Sequence, residues 1–211
     1  MSAKTAVLAI VILGILGLSG LALSGEQAPV SQAGEVSGAP QTLNARTGGD
    51  PSASVQAFLK ASDVLLNPRC VNCHPSGDRP LQGDDSHPHA MHVVRGPEGI
   101  GKNGLLCSTC HQERNLPGAH LPPGGTGWRL PPEDMPMVFQ GTSPREMCEH
   151  LKDPAQNGNR SPDEVLDHVA TGPVVLWGWD PGEGRVPVAM PHDEFVQYMK
   201  EWIDNGTACP E

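Results

Sequence analysis

The sequence predicts a mainly α-helical, loop-rich domain with little or no β-sheet, preceded by an N-terminal appendage. Three observations lead there. Two Ser-Pro-x-Glu capping boxes, at Ser143 and Ser161, each open a short helix with proline at its first position. Apolar residues keep helical spacing close to the C-terminus. The chain carries 25 glycines and 22 prolines, and no alternating apolar pattern long enough for a sheet.

Taken in chain order, the uncharged run from Thr5 to Leu23 follows Lys4 and precedes Glu26. It reads as a signal peptide or an N-terminal membrane anchor within residues 1–24. Ala22-Leu23-Ser24 offers a small-x-small cleavage site, and no cysteine lies near for lipidation. Residues 25–54 are rich in Gly, Ser, Ala, Gln and Pro and read as a flexible linker. A linker makes most sense with its far end held, which favours the uncleaved anchor with Lys4 cytoplasmic. Either way residues 55–211 reach an oxidising, periplasmic or otherwise extracytoplasmic compartment.

Asp50-Pro51-Ser52 is suited to cap a helix carrying Val55, Phe58, Leu59, Leu65 and Leu66, which stops at Asn67-Pro68. From Pro75 to about Gly141 the chain is dominated by Gly, Pro and polar residues. Such a long structureless stretch needs a reason, and wrapping a cofactor is one. The capping boxes predict helices near 144–152 and 162–170. Phe195, Met199, Trp202 and Ile203 predict a closing helix over 192–204, stopped near Gly206.

Composition narrows the function. The net charge of -10 disfavours nucleic acid and suits steering towards a basic partner surface; solubility alone accounts for it equally well. Aromatic residues make up only 4% of the chain, so the core is thin unless a cofactor adds to it.

The six cysteines decide the chemistry. Cys70-x-x-Cys73 and Cys107-x-x-Cys110 are each followed at once by histidine, His74 and His111. C-x-x-C-H is the attachment motif of c-type haem. Two thiols add across the porphyrin vinyl groups, and the histidine that follows reaches the iron from the same face. Paired cysteines also bind zinc, but usually with about 15–20 residues between pairs, and here 33 intervene. A redox dithiol usually accompanies a βαβ pattern, which is missing. The expectation is two haems c, held by Cys70, Cys73, Cys107 and Cys110, with His74 and His111 as proximal ligands. Cys148 and Cys209 remain, an even number that favours a disulfide in an oxidising compartment over two buried thiols.

The opposite face of each iron decides what the haems do. His87, His89, Met91 and His92 cluster after the first motif. His89 is the choice for a distal ligand there, with His92 and His87 as alternates. A separate copper or zinc ion on the three histidines is a further possibility. For the second haem the choice is His120, between Gly118 and two prolines. Met135, Met137 and Met190, each beside a proline, are weighed as packing residues first, with Met135 the best ligand among them. His150, His168 and His192 default to surface or capping roles. Trp128, Trp177, Trp179 and Trp202 suit either porphyrin edges or the core.

With these motifs in view the chain resembles a family of small bacterial dihaem c-type cytochromes. Some of its members carry the label of an isoquinoline oxidoreductase subunit. The likeness rests on NPRCVNCHP (67–75), GDRPLQG (77–83), CSTCHQ (107–112), NLPG (115–118) and VLWGW (175–179). Trp202-Ile203 with Gly206 is similar to the closing helix of many cytochrome c modules. It covers about residues 60–210 and implies a cytochrome c-like dihaem domain. The label implies a partner in a molybdenum hydroxylase system, with this chain as the electron-accepting cytochrome. The resulting expectation is an electron carrier between a membrane donor and an extracytoplasmic acceptor. The alternative is a dihaem redox enzyme, of peroxidase or sulfur-compound oxidase type, with one open or labile iron.

Overall fold

A computed structural model describes residues 48–211. The segment expected as signal or anchor, and the linker as far as residue 47, lie outside the described residues. The domain is mainly helical and loop-rich. Helix α1 (Pro51–Leu65) and the closing α7 (His192–Asp204) cross at its centre. Between them in sequence lie α2 (Pro68–Val71), α3 (Pro144–Lys152), α4 (Pro154–Asn157), α5 (Pro162–Thr171) and α6 (Pro173–Leu176). Two antiparallel ladders of two residues a side complete it. One is β1 (Leu81–Gln82) with β2 (His87–Pro88), the other β3 (Gly101–Lys102) with β4 (Leu105–Leu106). Among the described residues no helix is long and apolar enough to cross a membrane.

Helix α1 starts where Asp50 caps it, its carboxylate accepting the Ser52 and Ala53 N–H groups at 2.8 and 3.4 Å. The last four residues expected in the linker, 51–54, therefore belong to the folded domain, and Ser54 is fully buried. Leu59 is a second difference: expected on the apolar face, it is 41% exposed. The buried stripe runs instead through Ser54, Ala57, Phe58, Ala61, Val64 and Leu65. Its small members let the two helices approach closely, so that the fully buried Trp202 packs 5.1 Å from Phe58 between ring centres. Ser54 Oγ, buried at this crossing, donates to the Trp202 carbonyl at 2.8 Å and accepts the Ala208 N–H at 2.9 Å.

Helices α3 and α5 begin with complete capping boxes, Ser143 with Glu146 and Ser161 with Glu164. They add Met147, Cys148, Leu151, Val165 and Val169 to the core. A disulfide joins Cys148 of α3 to Cys209 beyond α7, with 5.6 Å between Cα atoms. The single turns α4 and α6 lay below the resolution of the sequence pattern.

The stretch from 75 to 141 is held by polar contacts more than by a core. The buried Arg95 guanidinium donates to the Gly77 and Pro131 carbonyls, each at 2.9 Å, while Arg95 N–H donates to the Asp78 carbonyl at 2.7 Å. Gly99, at φ +74°, lets the chain pass so close to Leu130 that a Cβ would lie 2.0 Å from its carbonyl oxygen.

Two outcomes follow. Phe58→Ala opens a cavity against Trp202 and costs about 3–5 kcal/mol, whereas Leu59→Ala, one position along, costs under about 1 kcal/mol. Guanidinium unfolding followed by circular dichroism checks the pair, and equal costs would contradict the packing. Removing the disulfide with Cys148→Ser and Cys209→Ser frees a loop spanning 61 positions. By the chain-entropy relation that costs about 4 kcal/mol in the same assay.

Two candidate haem-attachment sites

The first motif occupies the turn α2 and the residues after it. Asn67 caps the turn, accepting the Arg69 N–H at 2.9 Å, and the His74 N–H returns to the Cys70 carbonyl at 3.2 Å. This turn brings Cys70, Cys73 and His74 to one side. The second motif forms a 3-10 turn over Cys107–Thr109, and the His111 N–H closes on the Cys107 carbonyl at 2.9 Å. The four thiols form no disulfide. Among the described residues no three His, Cys, Asp or Glu side chains gather into a metal-binding group.

Each motif histidine is fixed in the same way by an unrelated stretch of chain. His74 Nδ1 lies 2.7 Å from the Met137 carbonyl oxygen, and Phe139 stacks on the imidazole with 4.0 Å between centres and 9° between planes. The contact is reciprocal, because the His74 carbonyl accepts the Phe139 and Gln140 N–H groups at 2.9 and 3.1 Å. His111 Nδ1 lies 2.7 Å from the Pro123 carbonyl oxygen, and Trp128 stacks on its ring at 4.6 Å and 9°. The Gly125 N–H donates to the Gln112 carbonyl at 2.9 Å, next along from His111. A carbonyl at Nδ1 requires the proton there. That leaves the lone pair of a neutral imidazole on Nε2, the arrangement found in metal-ligating histidines.

Electrostatics agree with neutral ligands. Burial pushes His74 down to about 4, against the opposing pull of the Met137 carbonyl. Burial also holds His111 below the ordinary imidazole value, with His89 and Arg185 adding to the effect. The thiols move the other way. Burial, reinforced by Cys73, pushes Cys70 up to about 12, and burial, reinforced by Cys107, pushes Cys73 up to about 11. Catalytic and redox-active cysteines have lowered pKa values and accessible thiolates, so this environment does not suit an exchanging dithiol.

The second motif is tied to the 177–185 loop. Asn115 Oδ1 accepts the Gly124 N–H at 3.0 Å and the Trp177 Nε1–H at 3.2 Å, while Asn115 Nδ2 donates to the Asp180 carbonyl at 2.7 Å. Trp177 meets Trp128 edge-on at 5.0 Å and carries the Arg69 guanidinium 5.6 Å above its ring. A continuous line of side-chain contacts therefore runs from the residue before Cys70 to His111. Trp179 belongs to the core, packed on Phe195 with its Nε1–H on the Met190 carbonyl at 2.6 Å. Asn115, Phe139 and Arg95 hold the sites in place; Phe139 and Arg95 were not singled out from sequence, and Asn115 was met only as part of NLPG (115–118). Their partners lie far along the chain, and only the long Gly/Pro-rich stretch hinted that something held it.

His120 is exposed and lies against the turn at Gly184, where an added Cβ would sit 2.8 Å from its Cε1. The His89 ring, expected to serve the first haem, lies 6.1 Å from the His111 ring between centres. His87 is tied through Nδ1 to Asp85 at 2.6 Å and through Nε2 to the Gln82 amide at 3.0 Å, and both His87 and His92 are exposed. Met135 lies against Gly158, and Met137 is buried, contributing its backbone carbonyl to His74. No family, curated protein or solved structure matches the chain.

Proposed function

We propose that this chain is an extracytoplasmic electron-transfer protein of the dihaem c type, similar to the small bacterial cytochromes named above. One observation carries the reading. Two C-x-x-C-H turns, 37 positions apart, are built alike: each histidine has its Nδ1 on a backbone carbonyl and a parallel aromatic ring on its face. A histidine that merely packs or caps a helix has no need of this arrangement twice over, immediately after two cysteine pairs. Haem c attached at each motif would supply a one-electron iron couple.

The chain's own residues have defined parts in that reading. Cys70 and Cys73 hold one group covalently, and Cys107 and Cys110 the other. His74 and His111 present Nε2 to the metal. Phe139 and Trp128 stop the imidazoles from rotating, and the backbone carbonyls of Met137 and Pro123 hold the tautomer. The contacts from Arg69 through Trp177 and Trp128 to His111 link the two motifs, which suits electron passage between two centres. The Cys148–Cys209 disulfide and the uncharged stretch from Thr5 to Leu23 support an oxidising compartment, either free or tethered. The net charge of -10 favours a basic docking face on the redox partners, a membrane donor and an extracytoplasmic acceptor, with no role for nucleic acid.

The test is the mass of the intact protein, produced in a host that attaches c-type haem and run under denaturing conditions. The wild-type chain retains two haems. Cys70→Ala with Cys73→Ala retains one, and Cys107→Ala with Cys110→Ala retains the other. A chain that carries no covalent haem, or that retains zinc instead, would overturn the proposal. The wild-type protein also takes up two electrons reversibly and shows no peroxide turnover above free haem. Rapid turnover would favour the enzyme alternative.

A further inference from the structure

We infer that His89, which follows the first motif in sequence, is the sixth ligand of the haem attached at the second motif. The inference rests on the proposed attachment of haem at Cys107 and Cys110. The geometry starts from the two rings. Imidazole nitrogen sits roughly 2 Å from a bound metal, and a ring centre lies roughly 1 Å behind its nitrogen. Two imidazoles on opposite sides of one metal therefore have centres about 6 Å apart. The His89 and His111 centres are separated by 6.1 Å, with the rings tilted by 57°. The tilt rules out a parallel stack, and the separation, which an ordinary tilted ring contact also has, matches the span of two imidazoles on a shared metal.

The available nitrogens fit as well. His111 Nδ1 is on the Pro123 carbonyl and His89 Nδ1 is on the Ala90 carbonyl, each at 2.7 Å. Both rings therefore carry the proton on Nδ1 and the lone pair on Nε2. His87, two positions away, uses both ring nitrogens within its own hairpin.

The backbone of His89 is also held firmly. Its N–H donates to the Pro80 carbonyl at 2.9 Å, and its own carbonyl accepts Arg79 Nε at 3.0 Å and Nη2 at 2.5 Å. The Ala90 N–H donates to Gln82 Oε1 at 3.0 Å. The β1–β2 ladder and the Arg79 fork therefore fix the point from which this half-buried ring projects. Such anchoring lowers the cost of ordering a ligand supplied by a loop. His111 thus has the Trp128 ring stacked on it and the His89 ring 6.1 Å away.

The consequence is a cross-connection. The chain leaving the first motif supplies a ligand to the second metal site, so one segment serves both centres. A metal with imidazole on both sides has no open position for peroxide or a sulfur substrate, and it sits at a lower potential than one with methionine. The second centre is therefore a pure electron relay.

The experiment is low-temperature electron paramagnetic resonance of the oxidised, haem-loaded full-length protein. The haem content of every sample is first fixed by mass. His89→Ala is expected to convert the second haem from low spin to high spin, to let the reduced protein bind one equivalent of carbon monoxide more than the wild type, and to return to low spin with added imidazole. His87→Ala and His92→Ala leave the signals unchanged. Combining His89→Ala with Cys70→Ala and Cys73→Ala, which keeps only the second haem, is expected to leave a single high-spin haem. Unchanged low-spin signals in His89→Ala would overturn the inference. So would a change confined to the first haem, seen when His89→Ala is combined with Cys107→Ala and Cys110→Ala. Imidazole rescue separates loss of a ligand from misfolding: failure of rescue in a protein with both haems attached also overturns it. Absence of haem from the wild-type chain would instead sink the attachment on which the inference stands.

Discussion

The hydrogen bond from each motif histidine to a backbone carbonyl is the constraint on which the rest of this structure depends. Without it an imidazole can present either nitrogen and rotate freely. With it the tautomer, the ring plane and the direction of Nε2 are fixed together. The cost is structural. The two acceptor carbonyls, of Met137 and Pro123, lie 63 and 12 positions from their histidines and must be held to within a hydrogen-bond length. The long Gly/Pro-rich stretch exists to bring them there. Arg95 binds that stretch into one piece by gathering carbonyls from both of its ends.

The two sites solve the same problem with different supports. The first is backed by the helical core: Met137 and Phe139 are buried in the cluster that Phe58, Met147 and Trp202 build. The second has no such backing and depends on polar ties to the 177–185 loop through Asn115, and on the Trp128–Trp177 contact. Hydrophobic burial holds the first site, and directional hydrogen bonds hold the second. The sites therefore differ in how they respond to damage. Loss of core packing loosens the first, and loss of one amide side chain loosens the second.

What was legible in the sequence was local. The capping boxes at Ser143 and Ser161, the proline at each N1, and the periodicity of Phe195, Met199, Trp202 and Ile203 are complete within a few residues, and those helices lie where they were read. The two C-x-x-C-H motifs are local too. What escaped was set by distance along the chain. Leu59 has the apolarity of a core residue, but the close approach of α7 selects the small residues Ser54, Ala57 and Ala61. The stacking of Phe139 on His74 and the position of His120 on the Gly184 turn depend on where loops cross, and no residue spacing encodes that. The density of histidines from 87 to 92 drew attention to that segment, but nothing in their spacing told that His89 meets His111.

The central claim is that Nε2 of His74 and Nε2 of His111 each bind an iron held by the cysteine pair just before it. Anomalous diffraction at the iron edge, from crystals of the haem-loaded protein, tests this most directly. The account predicts two iron peaks, one bonded to each of these nitrogens, with Nδ1 still on the carbonyls of Met137 and Pro123. A single metal shared by both cysteine pairs would contradict it, as would an iron bonded through Nδ1.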